Sequence, residues 1–178
     1  MELEAVSYRY TWAELSVLMS LHGCQGIPCL PDMAFPDKAD FEKGLSSLED
    51  SDVLSDAGGR LLLDQVHALL IGRLCRCVDY LSLAGNGKSA VLCDGGNIAL
   101  LVHGLPGGVR IQAAPRLRDL TEDFLSAALR FPGGGAVKGF RQGAEILEAA
   151  AANGDQMRQI AENALAEWLP PAEEGFSD

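Results

Sequence analysis

The sequence is short of positive charge. Its 178 residues include 14 lysines and arginines against 25 aspartates and glutamates, which gives a formal net charge of -11. Phosphate backbones and anionic membrane surfaces attract clustered basic side chains, so this balance argues against both as partners. The chain also lacks a run of about 18 apolar residues that could cross a membrane. Met1-Glu2-Leu3-Glu4 has no signal-peptide apolar stretch. We therefore expect a cytoplasmic protein with no nucleic acid and no membrane as partner.

Signature motifs of catalysis are missing as well. No serine stands in a Gly-x-Ser-x-Gly turn. Gly87-Lys88-Ser89 resembles the end of a phosphate-binding loop, but that loop needs a glycine five residues before the Gly-Lys pair, and position 82 is serine. The loop must also lead into a helix, whereas residues 89–94 are β-prone, so we interpret the segment as a hairpin turn. The sequence predicts a non-enzymatic protein without a cofactor.

The five cysteines lack the tight Cys-x2-Cys spacing that is typical of structural zinc sites. Cys75 and Cys77 would share one face of a strand, so a metal site with Cys24 and Cys29 is an alternative. We favour buried, reduced thiols and predict no metal, because cysteine is among the most buried residue types. The three histidines are His22 at a helix end, His67 beside an apolar helix face and His103 at a strand end. Their spacing in the sequence is not that of metal ligands.

Short apolar runs separated by glycine turns dominate the middle of the chain, between about residues 75 and 114. The runs cover residues 75–83, 89–94, 98–103 and 109–114. Runs of this length with such turns are typical of antiparallel meander strands. Helical patterns flank them on both sides, so the sequence predicts an α+β fold in which a β-meander is packed by helices.

The first part of the chain predicts a winged-helix-like arrangement. A strand over 5–10 leads to a helix over 12–22, whose start at Thr11 and Glu14 has the spacing of a capping box. Helices over 37–48 and 63–73 follow, separated by a short strand pair at 53–54 and 60–62 with a turn at 56–59. The last of these helices carries Gln65, His67 and Arg73, which would be the base-reading residues if the module bound DNA.

The last part of the chain predicts a helical appendage. A helix over 117–130 would end a first domain, residues 1–131, and residues 132–139 read as a glycine-rich linker. Helices over 140–152 and 155–169, with a turn at Asn153-Gly154, would form an α-hairpin, followed by a disordered tail over 170–178. We expect the apolar stripe of this hairpin to contact a protein client or a second copy through Met157, Ile160, Leu165 and Trp168.

Residues 5–130 resemble the EspG-type chaperones of ESX (type VII) secretion. The resemblance lies in the order of elements, in the connector Gly26-Ile27-Pro28-Cys29-Leu30, in the step from Leu45 to Leu48, and in Val53-Leu54 after it. It implies a cytoplasmic adaptor that binds a helical protein client, such as a type VII secretion substrate, and keeps it soluble. No binding residue is carried over from the family. The alternatives are a winged-helix transcription regulator and an α+β domain that only dimerises.

Overall fold

The computed structural model describes residues 6–30 and 37–169. Its elements follow the chain in the order β1 (Val6–Thr11), α1 (Trp12–Leu21), α2 (Lys38–Asp50), β2 (Leu54–Ala57), β3 (Arg60–Leu63), α3 (Gln65–Cys75), β4 (Tyr80–Gly85), β5 (Lys88–Asp94), β6 (Ala99–Leu105), β7 (Gly108–Ala114), α4 (Arg118–Ala127), a 3₁₀ turn (Ala128–Arg130), β8 (Gly135–Arg141), β9 (Ala144–Ala151) and α5 (Gly154–Trp168). No helix in this part of the chain is both long and apolar enough to cross a membrane.

A seven-stranded antiparallel sheet organises the molecule, with the strand order β1-β7-β6-β5-β4-β8-β9. The predicted meander, β4 to β7, forms its centre. Asn86 and Gly87, with φ of 50° and 72°, join β4 to β5 in a two-residue turn whose positive φ angles match the twist of the strands. The α+β prediction and the hairpin turn at Gly87-Lys88-Ser89 are confirmed.

Helices cover both faces of the sheet, so the fold has three layers. Because side chains alternate along a strand, Val109 and Ile111 of β7 join the core beneath α1, α2 and α3 on the first face. Ala114 of the same strand joins the core beneath α4 and α5 on the second face. The two cores are therefore separated by the sheet and filled from different parts of the chain.

The N-terminal elements follow the predicted order closely. Thr11 and Glu14 form the predicted capping box at the start of α1, and β2 and β3 form the predicted strand pair. The winged-helix arrangement is not confirmed, because α1 contacts β1 and β7 of the large sheet as well as α2. These helices make one layer of a continuous domain. Ala5 and the part of the connector at 31–36 lie outside the described residues.

One boundary in this region was wrongly predicted. The helix α3 continues to Cys75, so the first meander strand begins at Tyr80 instead of residue 75. Cys75 and Cys77 consequently do not alternate along one strand. The hydrogen bond from the Cys77 amide to the Leu74 carbonyl, at 3.3 Å, continues the helical turn past the end of α3.

The predicted linker and helical hairpin are wrong. Residues 135–151 form the strands β8 and β9, and β8 pairs with β4, so this segment belongs to the same sheet. The stacked rings of Tyr80 and Phe140, with centroids 4.6 Å apart, hold β8 against β4. Only the second predicted helix is present, as α5. The tail over 170–178 lies outside the described residues.

The strand β9 forms against its local sequence preference. Its sequence, AEILEAAA, consists of good helix formers. The turn at Gln142 and Gly143 has φ of 53° and 77°, which reverses the chain and lays β9 against β8. The Gly143 amide also donates to the Val78 carbonyl at 3.0 Å. Pairing with β8, which is itself held by the distant strand β4, has outweighed helix propensity here.

Candidate functional site

The four residues predicted to bind a partner all contact the second core, two of them buried and two partly exposed. Met157 and Leu165 are buried in the second core, and Ile160 and Trp168 pack against it. The guanidinium carbon of Arg141 lies 3.9 Å above the Trp168 ring. The structure brings all four to one face of α5, as the periodicity predicted, but this face packs on β8, β9 and the turn after α4. This face of α5 is therefore covered by other parts of the same chain.

A different set of apolar side chains is exposed, on β3 and the first half of α3. The exposed fractions are 42% for Leu61, 53% for Leu62, 48% for Val66 and 50% for Leu69. We name these four residues the 61–69 surface. Four large apolar side chains within nine positions form a local concentration, whereas single exposed apolar residues are ordinary in soluble proteins.

Local structure explains why the 61–69 surface faces outward. The β2–β3 pair forms a separate two-stranded sheet and is exposed on both sides over most of its length. Asp64 then caps α3, its carboxylate accepting from the amides of Val66 and His67. The helix is anchored through Leu70, Ile71 and Leu74. Val66, one turn before Leu70, and Leu69, about 100° round the helix from Leu70, lie at the edge of this buried face and remain about half exposed.

Sequence reasoning missed this surface because it treated every apolar position of α3 as one stripe. Val66, Leu69, Leu70 and Leu74 all fit a helical repeat, but only the last two are buried. The available signal was the run Leu61-Leu62-Leu63 in a four-residue strand. Alternation in a strand places consecutive leucines on opposite faces, so an isolated two-stranded pair cannot bury all of them.

The charge beside the 61–69 surface is mainly negative. Asp56 pairs in register with Leu61, and Asp64 lies in the chain between Leu62 and Val66. The end of α2, which contacts β2, adds the exposed Glu49 and Asp50. Surfaces of this kind attract partners that carry complementary positive charge.

All five cysteines contact the first core: Cys29, Cys77 and Cys93 are buried in it, and Cys24 and Cys75 pack against it. The sulfur of Cys93 lies 3.9 Å from that of Cys29, and Cys24 and Cys75 are close to this pair. All five are free thiols. Hydrogen bonds with the thiols of Cys29 and Cys77, together with burial, raise the pKa of Cys93. Burial, with the neighbouring Cys24, raises the pKa of Cys75. The raised pKa values of Cys75 and Cys93 keep these two thiols protonated at neutral pH.

Within residues 6–30 and 37–169, no group of three or more histidine, cysteine or acidic side chains is placed to hold a metal ion. Each of the three histidines has its own hydrogen-bond partners and does not share them with another histidine. Both ring nitrogens of His22 face carbonyl oxygens, those of Leu18 at 2.9 Å and Ala68 at 3.1 Å. This residue ties the end of α1 to α3.

His67, which was considered as a base-reading residue, faces inward instead. It contacts the hydroxyl of Tyr10 through Nδ1, and the Tyr8 ring lies against its edge at 4.8 Å. Burial lowers the pKa of His67, although Asp64 opposes the shift. Burial also raises the pKa of Tyr10. Of the other residues considered for base reading, Gln65 is exposed and Arg73 is half-buried. The remaining exposed residues of α3, Val66 and Leu69, are apolar, which does not suit base recognition.

His103 lies on the second face of the sheet, in a polar chain with two other side chains. Its Nε2 lies 3.0 Å from Oε1 of Gln112, and Nε2 of Gln112 donates to Asp123 at 3.2 Å. Burial lowers the pKa of His103, with Arg110 and Arg130 contributing in the same direction and Gln112 opposing them.

Comparisons with known proteins add no assignment, because no protein-family model matches the chain and a search of curated proteins found no match.

Proposed function

We propose that this protein is a non-enzymatic adaptor that binds an amphipathic helix of a client protein through the 61–69 surface. The observation that carries the proposal is the pair of half-exposed apolar side chains Val66 and Leu69, three residues apart on α3. The strand just before this helix adds the exposed leucines Leu61 and Leu62, of which one can face the same partner because they point to opposite faces of β3. Helix recognition by an apolar surface uses side chains spaced at three and four residues on the helix, in contact with exposed apolar side chains of the receptor.

The charge of the protein supports one kind of client. Asp56 and Asp64 flank the apolar side chains, and the whole chain carries a net charge of -11. A helix with basic residues beside its apolar face would be attracted at long range and then bury the apolar side chains. The five free thiols support a reducing compartment such as the cytoplasm for this adaptor. The sequence resemblance makes a type VII secretion substrate the first client to test.

The size of the effect follows from exposure. Burying a whole valine or leucine side chain contributes about 1.5–3 kcal/mol, and Val66 and Leu69 each have about half of this area still to lose. The double change Val66→Ser with Leu69→Ser should therefore weaken client binding by about 2 kcal/mol, or roughly 30-fold. The other half of each side chain is already buried in the fold, so the same double change should also lower the free energy of unfolding by about 2 kcal/mol.

The test begins with affinity recovery of clients from the native cytoplasm, followed by titration calorimetry with each purified client. The matched control is Ile146→Ser on β9, since Ile146 is 54% exposed and lies outside the 61–69 surface. We expect the wild type and the control to bind one helical client equally, and the double variant to lose it. Equal binding by all three proteins would refute the assignment of the surface.

A second copy of the chain is the competing occupant. Sedimentation equilibrium over a range of concentrations separates the two cases. A dimer that dissociates on Val66→Ser with Leu69→Ser, with no client recovered, would show that the surface serves self-association and would refute the adaptor function.

A further inference from the structure

Positive charge is concentrated at one place on the second face of the sheet. In the antiparallel register, Arg9 of β1 pairs with Arg110 of β7, and Arg110 pairs with His103 of β6. Directly opposed residues on neighbouring strands point to the same face, so these side chains form a row across three strands. Arg130, from the turn after α4, reaches the same region.

The row opens into a cavity of about 200 Å³. The sheet supplies Arg110, Gln112 and His103 to its lining, and the end of α4 with the following turn supplies Asp123, Ser126 and Arg130. The cavity is smaller than the roughly 300–1,000 Å³ of pockets for drug-sized ligands. Its size suits one small polar group.

Within the part of the chain that the structure describes, no carboxylate comes within 4.0 Å of Arg9, Arg110 or Arg130. The ion pairs found there involve Lys38, Arg116 and Arg158. Asp123 is the acidic residue of the lining, and one of its oxygens accepts from Gln112 at 3.2 Å. The arginines of the cavity are thus left without a close counter-charge in a protein of net charge -11.

Gathering like charges in this way has a cost. Like-charged residues directly opposed on neighbouring strands destabilise a sheet. The pKa of Arg110 is lowered by burial, and further by Arg130 and Arg9, against the opposing effect of Asp123. A bound anion would offset this repulsion, because arginine forms paired hydrogen bonds with the oxygens of phosphate and carboxylate groups.

We propose that this cavity binds the phosphate group of a small soluble phosphate ester, held by Arg110 and Arg130 with Arg9 at its edge. Phosphate fits the site better than a single carboxylate because it brings up to two negative charges and three exposed oxygens to several guanidinium groups. The Ser126 hydroxyl provides a further donor. The site lies on the opposite face of the sheet from the core that holds α3, so it is independent of the 61–69 surface.

The test is titration calorimetry with inorganic phosphate and with pyrophosphate at low ionic strength, alongside potassium chloride at matched ionic strength. We expect saturable binding of the phosphates and none of chloride. Arg110→Gln and Arg130→Gln should each weaken binding at least tenfold, since each removes a charged hydrogen-bond donor. The control is Arg118→Gln on α4, an exposed arginine outside the cavity, which should bind as the wild type does.

A gain of affinity separates this proposal from simple loss of fold. Asp123→Asn removes the negative charge of the lining while keeping an oxygen that can accept from Gln112, so phosphate binding should become several-fold tighter. No saturable binding at millimolar phosphate, or an equal loss in Arg118→Gln, would overturn the site. Flotation with phosphatidic acid vesicles should show no binding. Vesicle binding that depends on Arg110 would overturn the assignment to a soluble ester.

Discussion

Neighbouring glycines in the triple glycine at 133–135 should respond oppositely to substitution by alanine. A flexible linker would tolerate alanine at every position. In the structure, Gly134 has φ of 73°, and an added Cβ would lie 2.0 Å from the carbonyl oxygen of Ala151. Gly133 does not have a positive φ, and its added Cβ would meet only the Asn86 amide nitrogen, at an ordinary 3.8 Å.

The magnitudes follow from these contacts. Left-handed backbone costs alanine about 1–2 kcal/mol, and the overlap with Ala151 forces β8 and β9 apart where Gly135 pairs with Ala151. We expect Gly134→Ala to lower the free energy of unfolding by at least about 3 kcal/mol, which corresponds to a fall in Tm of about 6–12 °C. Gly133→Ala should be neutral or stabilise by about 0.4–1 kcal/mol, because it restricts the unfolded chain.

Urea unfolding followed by circular dichroism measures both variants, with the midpoint and slope giving the free energy of unfolding. Equal stability of Gly133→Ala and Gly134→Ala would refute the reasoning, since it would mean that residues 133–135 are a linker and that β8 does not start against β9.

Three further predictions concern the cores. Met157→Ala should lower the free energy of unfolding by about 2–5 kcal/mol because Met157 is buried, whereas Ile146→Ala should lower it little. Equal effects of the two substitutions in urea unfolding would show that Met157 is not buried. The pKa of His103 is lowered from 6.5, so the unfolded chain binds the proton more tightly and stability should fall as the pH drops from 7.5 to 5.5. Unfolding curves of His103→Asn should show a shallower pH dependence, and an unchanged slope would contradict this. Iodoacetamide labelling followed by mass spectrometry should modify Cys24 first and Cys93 only as the protein unfolds; early labelling of Cys93 would disprove its burial.

The parts of the fold that could be predicted from sequence are those with local signals. The glycine turns between β4 and β7 join strands that are adjacent in the sheet, so the turns visible in the sequence also tell which strands pair. The capping box of Thr11 and Glu14 involves residues three apart and forms as predicted. Helix α5 was also predicted, because its apolar repeat is a feature of one short segment. The structure adds that Asn153, in the predicted turn, is its N-cap.

The C-terminal strands had no comparable signal. β8 pairs with β4, more than fifty residues earlier in the chain, and alanine-rich β9 carries helix-forming residues. The hairpin turn uses Gln142 before Gly143, where asparagine or aspartate is the usual indication. A helix was therefore predicted over 140–152, and the stripe containing Met157 and Leu165 was left without its true covering strands.

The candidate sites depend on pairing between distant segments in the same way. Arg9 and Arg110 are a hundred positions apart, and only the antiparallel register of β1 on β7 brings them together. Composition could show that basic residues were few, but it could not show that several of them meet. Likewise, helical periodicity found the apolar positions of α3, and only packing separates Leu69 from Leu70.

Pairing of β4 with β8 also determines when, during synthesis, the free edge of β4 is covered. When the meander has been synthesised, the free edge of β4 and its leucines Leu81 and Leu83 have no neighbour on that side. The strand β8 that pairs with this edge ends at Arg141, and residues 115–141 follow at about 5–20 residues per second, so the edge stays open for about 1–5 s. During that time it can pair with another nascent strand. Synthesis of β8, rather than completion of the meander, is the step that covers this edge, and the alanine-rich β9 then becomes the edge strand of the finished sheet on that side.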